Sequence, residues 1–144
     1  MFVFALAMTY VALAAATHTS HRKNFPAKQF TKNISELYRE QTGKPLEIMG
    51  GSVWTAGMFR HYAPGHPQSC ILKNRSELER LGPLLKEHGG LIVSDKEEDI
   101  RLAVKHFDRM DTFHMTYDVE SRSMFGKKRT RTIYLTFLTG ATTK

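Results

Sequence analysis

The chain has one cysteine, Cys70, so no intrachain disulfide is possible and the fold stands without covalent staples. Tryptophan is as scarce, with Trp54 alone. No helix-turn-helix, zinc-finger or RNP pattern occurs, which removes the common nucleic-acid readers. There is no HExxH helix, no Ser/His/Asp order, no pair of catalytic carboxylates and no nucleotide fingerprint. The sequence therefore assigns no reaction, no catalytic residue, no metal and no cofactor. Internal repeats and low-complexity tracts are missing too.

Acidic residues are missing from both ends. Residues 1–30 hold three bases and residues 121–144 hold six, neither with an acid, while all fourteen acids lie between them among twelve bases. The net charge of +7 is thus a basic fringe around a nearly neutral middle. Such a fringe reads first as a solubilising surface. The loop holding Lys127, Lys128, Arg129 and Arg131 would also meet anionic lipid or nucleic acid. A nucleic-acid partner is not expected, because no reader motif accompanies the charge.

A long apolar run is lacking as well. Residues 2–16, FVFALAMTYVALAAA, give fifteen residues without a charge. A spanning helix needs about twenty, and a signal-peptide core roughly 7–15. The small residues Ala14, Ala15 and Ala16 suit signal cleavage, whereas no basic residue precedes the run. The alternative is the end of a transmembrane helix, and Arg22 and Lys23 behind it would then favour a cytoplasmic side. Membrane association is the expectation. The organisation read from the sequence is an apolar membrane or signal-like segment over 1–18, a linker over 19–30 and a single α/β domain over 31–144.

What is present in that domain is a regular alternation, and 41% hydrophobic residues suffice for one modest core. Ile34, Leu37, Tyr38 and Gln41 have helical spacing over 31–42, with Gly43 as a stop. Residues 46–49 read as a buried strand ended by Gly50 and Gly51, and Ser52 caps a helix over 53–61. A strand over 68–72 follows the Pro64, Gly65, His66, Pro67 turn. Ser76 with Glu79 reads as a capping box, opening a helix that Gly82 and Pro83 kink or split. Residues 91–93 are a third buried strand, and Asp95 with Glu98 repeats the capping pattern before Ile100, Ala103, Val104 and Phe107. Residues 112–119 and 130–138 alternate with period two around a basic loop at Gly126.

This order predicts an α/β fold of two or three layers. Its sheet is short and mostly parallel, with three strands joined by right-handed helical crossovers, and carries a C-terminal antiparallel β-hairpin.

The run of residues 34–67 is the distinctive part. A helix leads to Thr42, Gly43, Lys44, Pro45 and Leu46, a short strand, Gly50 and Gly51, Trp54 with Ala56 and Gly57, and then Tyr62, Ala63, Pro64 and Pro67. It resembles the soluble C-terminal extracytoplasmic domain of bacterial membrane glycosyltransferases of the dolichyl-phosphate-mannose-protein mannosyltransferase superfamily. The resemblance covers about residues 30–138, with 42–67 its specific part. It implies an accessory, non-catalytic domain on the periplasmic side of the membrane. Polyprenyl-phosphate sugar or acceptor glycan would be partners only through the parent enzyme, whose donor site and acidic catalytic loop lie in helices that this chain does not contain. The alternative is a free-standing, membrane-tethered or exported domain that binds sugar or another small ligand.

The candidate ligand-binding residues are Gly50, Gly51, Ser52, Trp54, His61 and Tyr62. The first three read as a tight turn and an N-cap, and the same backbone would hold an anion at a helix N-terminus. Trp54 and Tyr62 would make a stacking platform for a sugar, against the plainer role of core packing. His61 and His66 flank a loop without the further ligands that a metal site needs. Cys70 falls within a strand, as a buried and inert thiol. Ser94, Asp95 and Lys96 follow the third strand, where ligands meet open α/β sheets.

Overall fold

A computed structural model describes residues 25–107, 112–122 and 128–140. The expected apolar segment over 1–18, the first part of the linker and the Gly126 turn lie outside the described residues. Those described fall into two compact units, one of residues 27–107, 112–118 and 132–140, the other of residues 25–26, 119–122 and 128–131. In the smaller unit the strand ends are joined by Ser121 Oγ donating to the Arg129 carbonyl at 3.4 Å and by a 3.7 Å ion pair of Lys128 with Glu120.

The larger unit begins with α1 (Ala27–Thr42). It starts four residues before the expected helix, inside the expected linker, because Pro26 is tolerated ahead of a first helical turn and Phe30 already belongs to the buried stripe of Phe30, Ile34 and Tyr38. Gly43, at φ 71°, ends the helix by donating its N–H to the Arg39 carbonyl at 2.8 Å.

β1 (Ile48–Gly51) is buried along its whole length and leads into α2 (Val53–Tyr62), capped by Ser52 as expected. β2 (Gln68–Ile71) follows, then α3 (Arg75–His88). Two expectations about α3 are corrected. Its N-cap is Asn74, whose side chain accepts from the Glu77 N–H, and Ser76 donates to Asn74 at 2.9 Å instead of capping. Pro83 does not split it either, because Leu81 and Leu85 are buried on either side of the proline and hold the helix to the sheet. A proline inside a helix costs about 3 kcal/mol, and here packing outweighs it.

β3 (Gly89–Ser94) is buried throughout, and α4 (Glu97–His106) follows. Asp95 does not cap α4. The N-cap position falls on Lys96, which makes no side-chain cap, and Ser94 instead accepts from the Lys96 N–H at 3.1 Å. Last come β4 (Thr112–Arg122) and β5 (Lys128–Thr139), the two antiparallel strands expected at the C-terminus.

The five strands form one open sheet in the order β2-β1-β3-β5-β4. β1 runs parallel to both β2 and β3, with Gly50 opposite Cys70 and Ile92, and β5 lies antiparallel to β3, with Ile92 opposite Thr136. From β1 to β2 the chain moves outward, and from β2 to β3 it returns past β1. Right-handed crossovers therefore place α2 and α3 on opposite faces.

Packing agrees, so the sandwich has three layers. On one face Phe30 of α1 meets Phe59 of α2 edge-on at 6.0 Å, and Tyr38 stacks on Phe137 at 6.0 Å. On the other, Leu81 and Leu85 of α3 and Ile100 and Ala103 of α4 pack with Ile48, Cys70, Ile92 and Leu138.

Candidate functional site

In an open α/β sheet, ligands meet the crevice beyond the carboxyl ends of the strands where the chain's winding reverses. Here that point lies between β1 and β3. The helices that leave them, α2 and α4, lie on opposite faces, so Ser52 and Asp95 stand at the mouth.

Ser52 is extended, at φ −66° and ψ 164°, and its Oγ accepts from the Thr55 N–H at 3.3 Å. Fully buried Thr55 donates its hydroxyl to the Val93 carbonyl at 2.8 Å, pinning the first turn of α2 to β3. Ser52 Oγ then reaches Asp95 Oδ1 at 3.5 Å. Gly51 makes this closeness possible, since a Cβ there would collide with Thr55 Oγ1 and lie 2.7 Å from the Val93 carbonyl oxygen.

A second polar group borders the first. Lys73 follows β2 and pairs with Asp99 of α4 at 2.9 Å, while Ser94 donates to the other oxygen of Asp99 at 3.0 Å. The Asp99 carboxylate is buried, and its contact with the ammonium, by hydrogen bond first and by charge second, raises the pKa of Lys73 above the ordinary lysine value.

The expected site residues separate into two groups. Gly50, Gly51, Ser52 and half-buried Trp54 lie at the start of α2; His61 and Tyr62 lie at its end, with ring centroids 4.6 Å apart. Eight residues of helix put about 12 Å between Trp54 and Tyr62, so they do not share one stacking platform. Arg60 ties that far end to β2 through the Ser69 hydroxyl at 3.1 Å and the Ser69 carbonyl at 3.0 Å.

Among the described residues no histidine accompanies Ser52. Of the described histidines, His61 faces Tyr62, His66 meets the Arg60 carbonyl, His88 lies beside Glu87, His106 packs on Phe107 and His114 bonds Thr136. The serine hydroxyl and the Asp95 carboxylate suit hydrogen bonding to hydroxyl groups of a neutral ligand. An anion at that helix end would face the Asp95 charge. Among the described residues no group of three or more His, Cys, Asp or Glu is placed to hold a metal ion.

Thr55, Lys73 and Asp99 were not singled out by the sequence reading. Lys73 had a positional signal, since it follows β2 as Ser52 follows β1. Asp99 had none, because an acid in the first turn of a helix is ordinarily exposed.

No family model, curated protein or solved structure matches this chain. Among the described residues no helix is long and apolar enough to cross a membrane.

Proposed function

We propose that this chain is an accessory, non-catalytic domain of a polyprenyl-phosphate-sugar-dependent membrane glycosyltransferase, and that it contributes to the acceptor side of the parent enzyme on the extracytoplasmic face. One observation carries the reading. The stretch with the specific resemblance, residues 42–67, builds the strand, turn and helix at the reversal point of the sheet, where Ser52 and Asp95 offer hydrogen bonds and no described histidine joins them. The partners are the membrane and, through the parent enzyme, polyprenyl-phosphate sugar or acceptor glycan. Sequencing the locus upstream of Met1 tests this. Several in-frame transmembrane segments support it, and an intergenic gap with its own promoter overturns it.

A second reading, a free-standing sugar or small-ligand binding domain, is favoured by the pairing of Ser52 with Asp95 at the customary ligand position of such sheets. An NMR titration with neutral sugars and sugar phosphates tests it. Saturable shifts centred on Gly50 to Trp54 support it, and a flat response across the panel removes it.

A further inference from the structure

The sheet has five strands, and α3 and α4 are the helices packed on one of its faces. Helix α4 turns Ile100 and Ala103 inward, with Phe107 just beyond its end. A different stripe, Glu97, Arg101, Val104 and Lys105, lies at helical spacing along its flank and forms one wall of a trough of about 730 Å³. Ile100 of the same helix adds to the lining, and the rest comes from β4 and β5, with His114, Thr116 and Tyr134 among it. That volume falls in the usual range for small-molecule sites, about 300–1,000 Å³.

The trough has an apolar body and a charged rim. Val104 and Tyr134 are half-buried and pack against the core, while Ile100 forms part of the floor. On the rim, Arg101 is held by Glu97 at 2.8 Å and is largely neutralised by it. Lys105 is exposed one turn further along and adds a positive charge that Glu97 does not offset. The imidazole of His114 is fixed between hydroxyls, Thr136 Oγ1 at 2.9 Å and Thr112 Oγ1 at 3.3 Å, so this wall is preset.

We propose that this trough binds a small amphipathic anion, its ring-bearing apolar body against Val104, Ile100 and Tyr134 and its single carboxylate or phosphate head at Lys105. The trough shares no residue with the Ser52 and Asp95 mouth, so it stands or falls separately from the function proposed above. An apolar surface with Lys105, among the described residues a lining cation that Glu97 does not offset, at its lip selects for such a molecule over a neutral isostere, because the head group gains a charge-assisted contact while the body is desolvated.

Saturation-transfer NMR on the full chain tests this with 1-naphthoate, 1-naphthyl phosphate and the neutral 1-naphthalenemethanol. At least one anion binds saturably and the alcohol binds about tenfold more weakly, the worth of one charge-assisted contact. Lys105→Glu weakens the anion by about tenfold or more and leaves the alcohol unchanged, whereas Lys44→Glu, the same charge change on an exposed loop before β1, alters neither. The stronger of the two anions identifies the head group. Three results overturn the proposal: no saturable binding of either anion, equal binding of the alcohol, or equal effects of Lys105→Glu and Lys44→Glu.

Discussion

Lys73 Nζ lies 2.9 Å from Asp99 Oδ1, in an ion pair whose lysine side chain is 65% exposed and whose carboxylate is 4% exposed. The two halves therefore fail differently. Asp99→Ala strands the buried Ser94 hydroxyl without its acceptor and is expected to cost about 1–3 kcal/mol in a urea melt with an unchanged m-value. A loss within a few tenths of a kcal/mol would mean that water replaces the carboxylate as acceptor.

Lys73 itself gives a pH signature. Its pKa is raised in the folded chain, first by its hydrogen bond to Asp99 and then by the charge of that carboxylate. A raised lysine stabilises fully below its unfolded value, about 10.5, and the contribution is lost as pH climbs through the higher folded value. The stability difference between the native chain and Lys73→Met should be flat from neutral pH to about 10 and shrink above that. A difference that falls between pH 6 and 8 would assign the effect to another group.

Cys70 is buried on β2. Burial first, and the Glu77 charge second, push its thiol from the ordinary 9.0 up to about 11. Two units lower the thiolate fraction about a hundredfold before any steric shielding is counted. The stronger nucleophilicity of a high-pKa thiolate offsets about half of this on a logarithmic scale, so reaction with a disulfide reagent at pH 8 should be slower than that of the urea-unfolded chain by about tenfold or more. The sign for stability follows from the unfolded thiol ionising near 9.0 while the folded one keeps its proton to about 11. Stability therefore declines across that interval, because the unfolded state holds fewer protons. Cys70→Ala should remove that part of the decline.

Helix α3 distinguishes two candidate caps. Asn74→Ala removes the side chain that accepts from the Glu77 N–H and should cost about 1 kcal/mol. Ser76→Ala loses one exposed hydrogen bond to Asn74 and should stay within about 0.5 kcal/mol. Thermal melts of the two variants decide, and the reverse order would restore Ser76 as the cap.

Periodicity made much of this fold readable. Ile34, Leu37, Tyr38 and Gln41 announce α1 by spacing alone, and the change from period 3.6 to period 2 after residue 112 announces the final strand pair. Caps were less readable, because Ser76 with Glu79 and Asp95 with Glu98 satisfy the capping pattern while the chain starts each helix at a different residue. Pro83 was misleading for a tertiary reason, the burial of Leu81 and Leu85. At the mouth of the sheet Ser52 was legible as a cap. Its approach to Asp95, 43 residues on, is a product of strand order, which no local pattern encodes. The distance between Trp54 and Tyr62 was implicit in the helix that joins them, and their shared aromatic character obscured it.

Gly50 and Gly51 carry the resemblance noted in the sequence, and their geometries separate packing from any other role. A Cβ on Gly50 would approach Leu72 Cδ2 at 2.9 Å and Cys70 Sγ at 3.4 Å. Leu72 is only half-buried and its side chain can turn away, so Gly50→Ala should cost less than about 1 kcal/mol. On Gly51 the same methyl would strike Thr55 Oγ1 and come within 2.7 Å of the Val93 carbonyl oxygen. A backbone oxygen on a central strand cannot withdraw without breaking the sheet, and Thr55 cannot withdraw without releasing α2. Gly51→Ala should therefore cost about 1–3 kcal/mol and disturb the first turn of α2, read as faster amide exchange at Thr55 and Ala56. Equal costs for the two substitutions would mean that the turn relaxes as a unit, and the tight seat of Ser52 beside Asp95 would then not depend on Gly51.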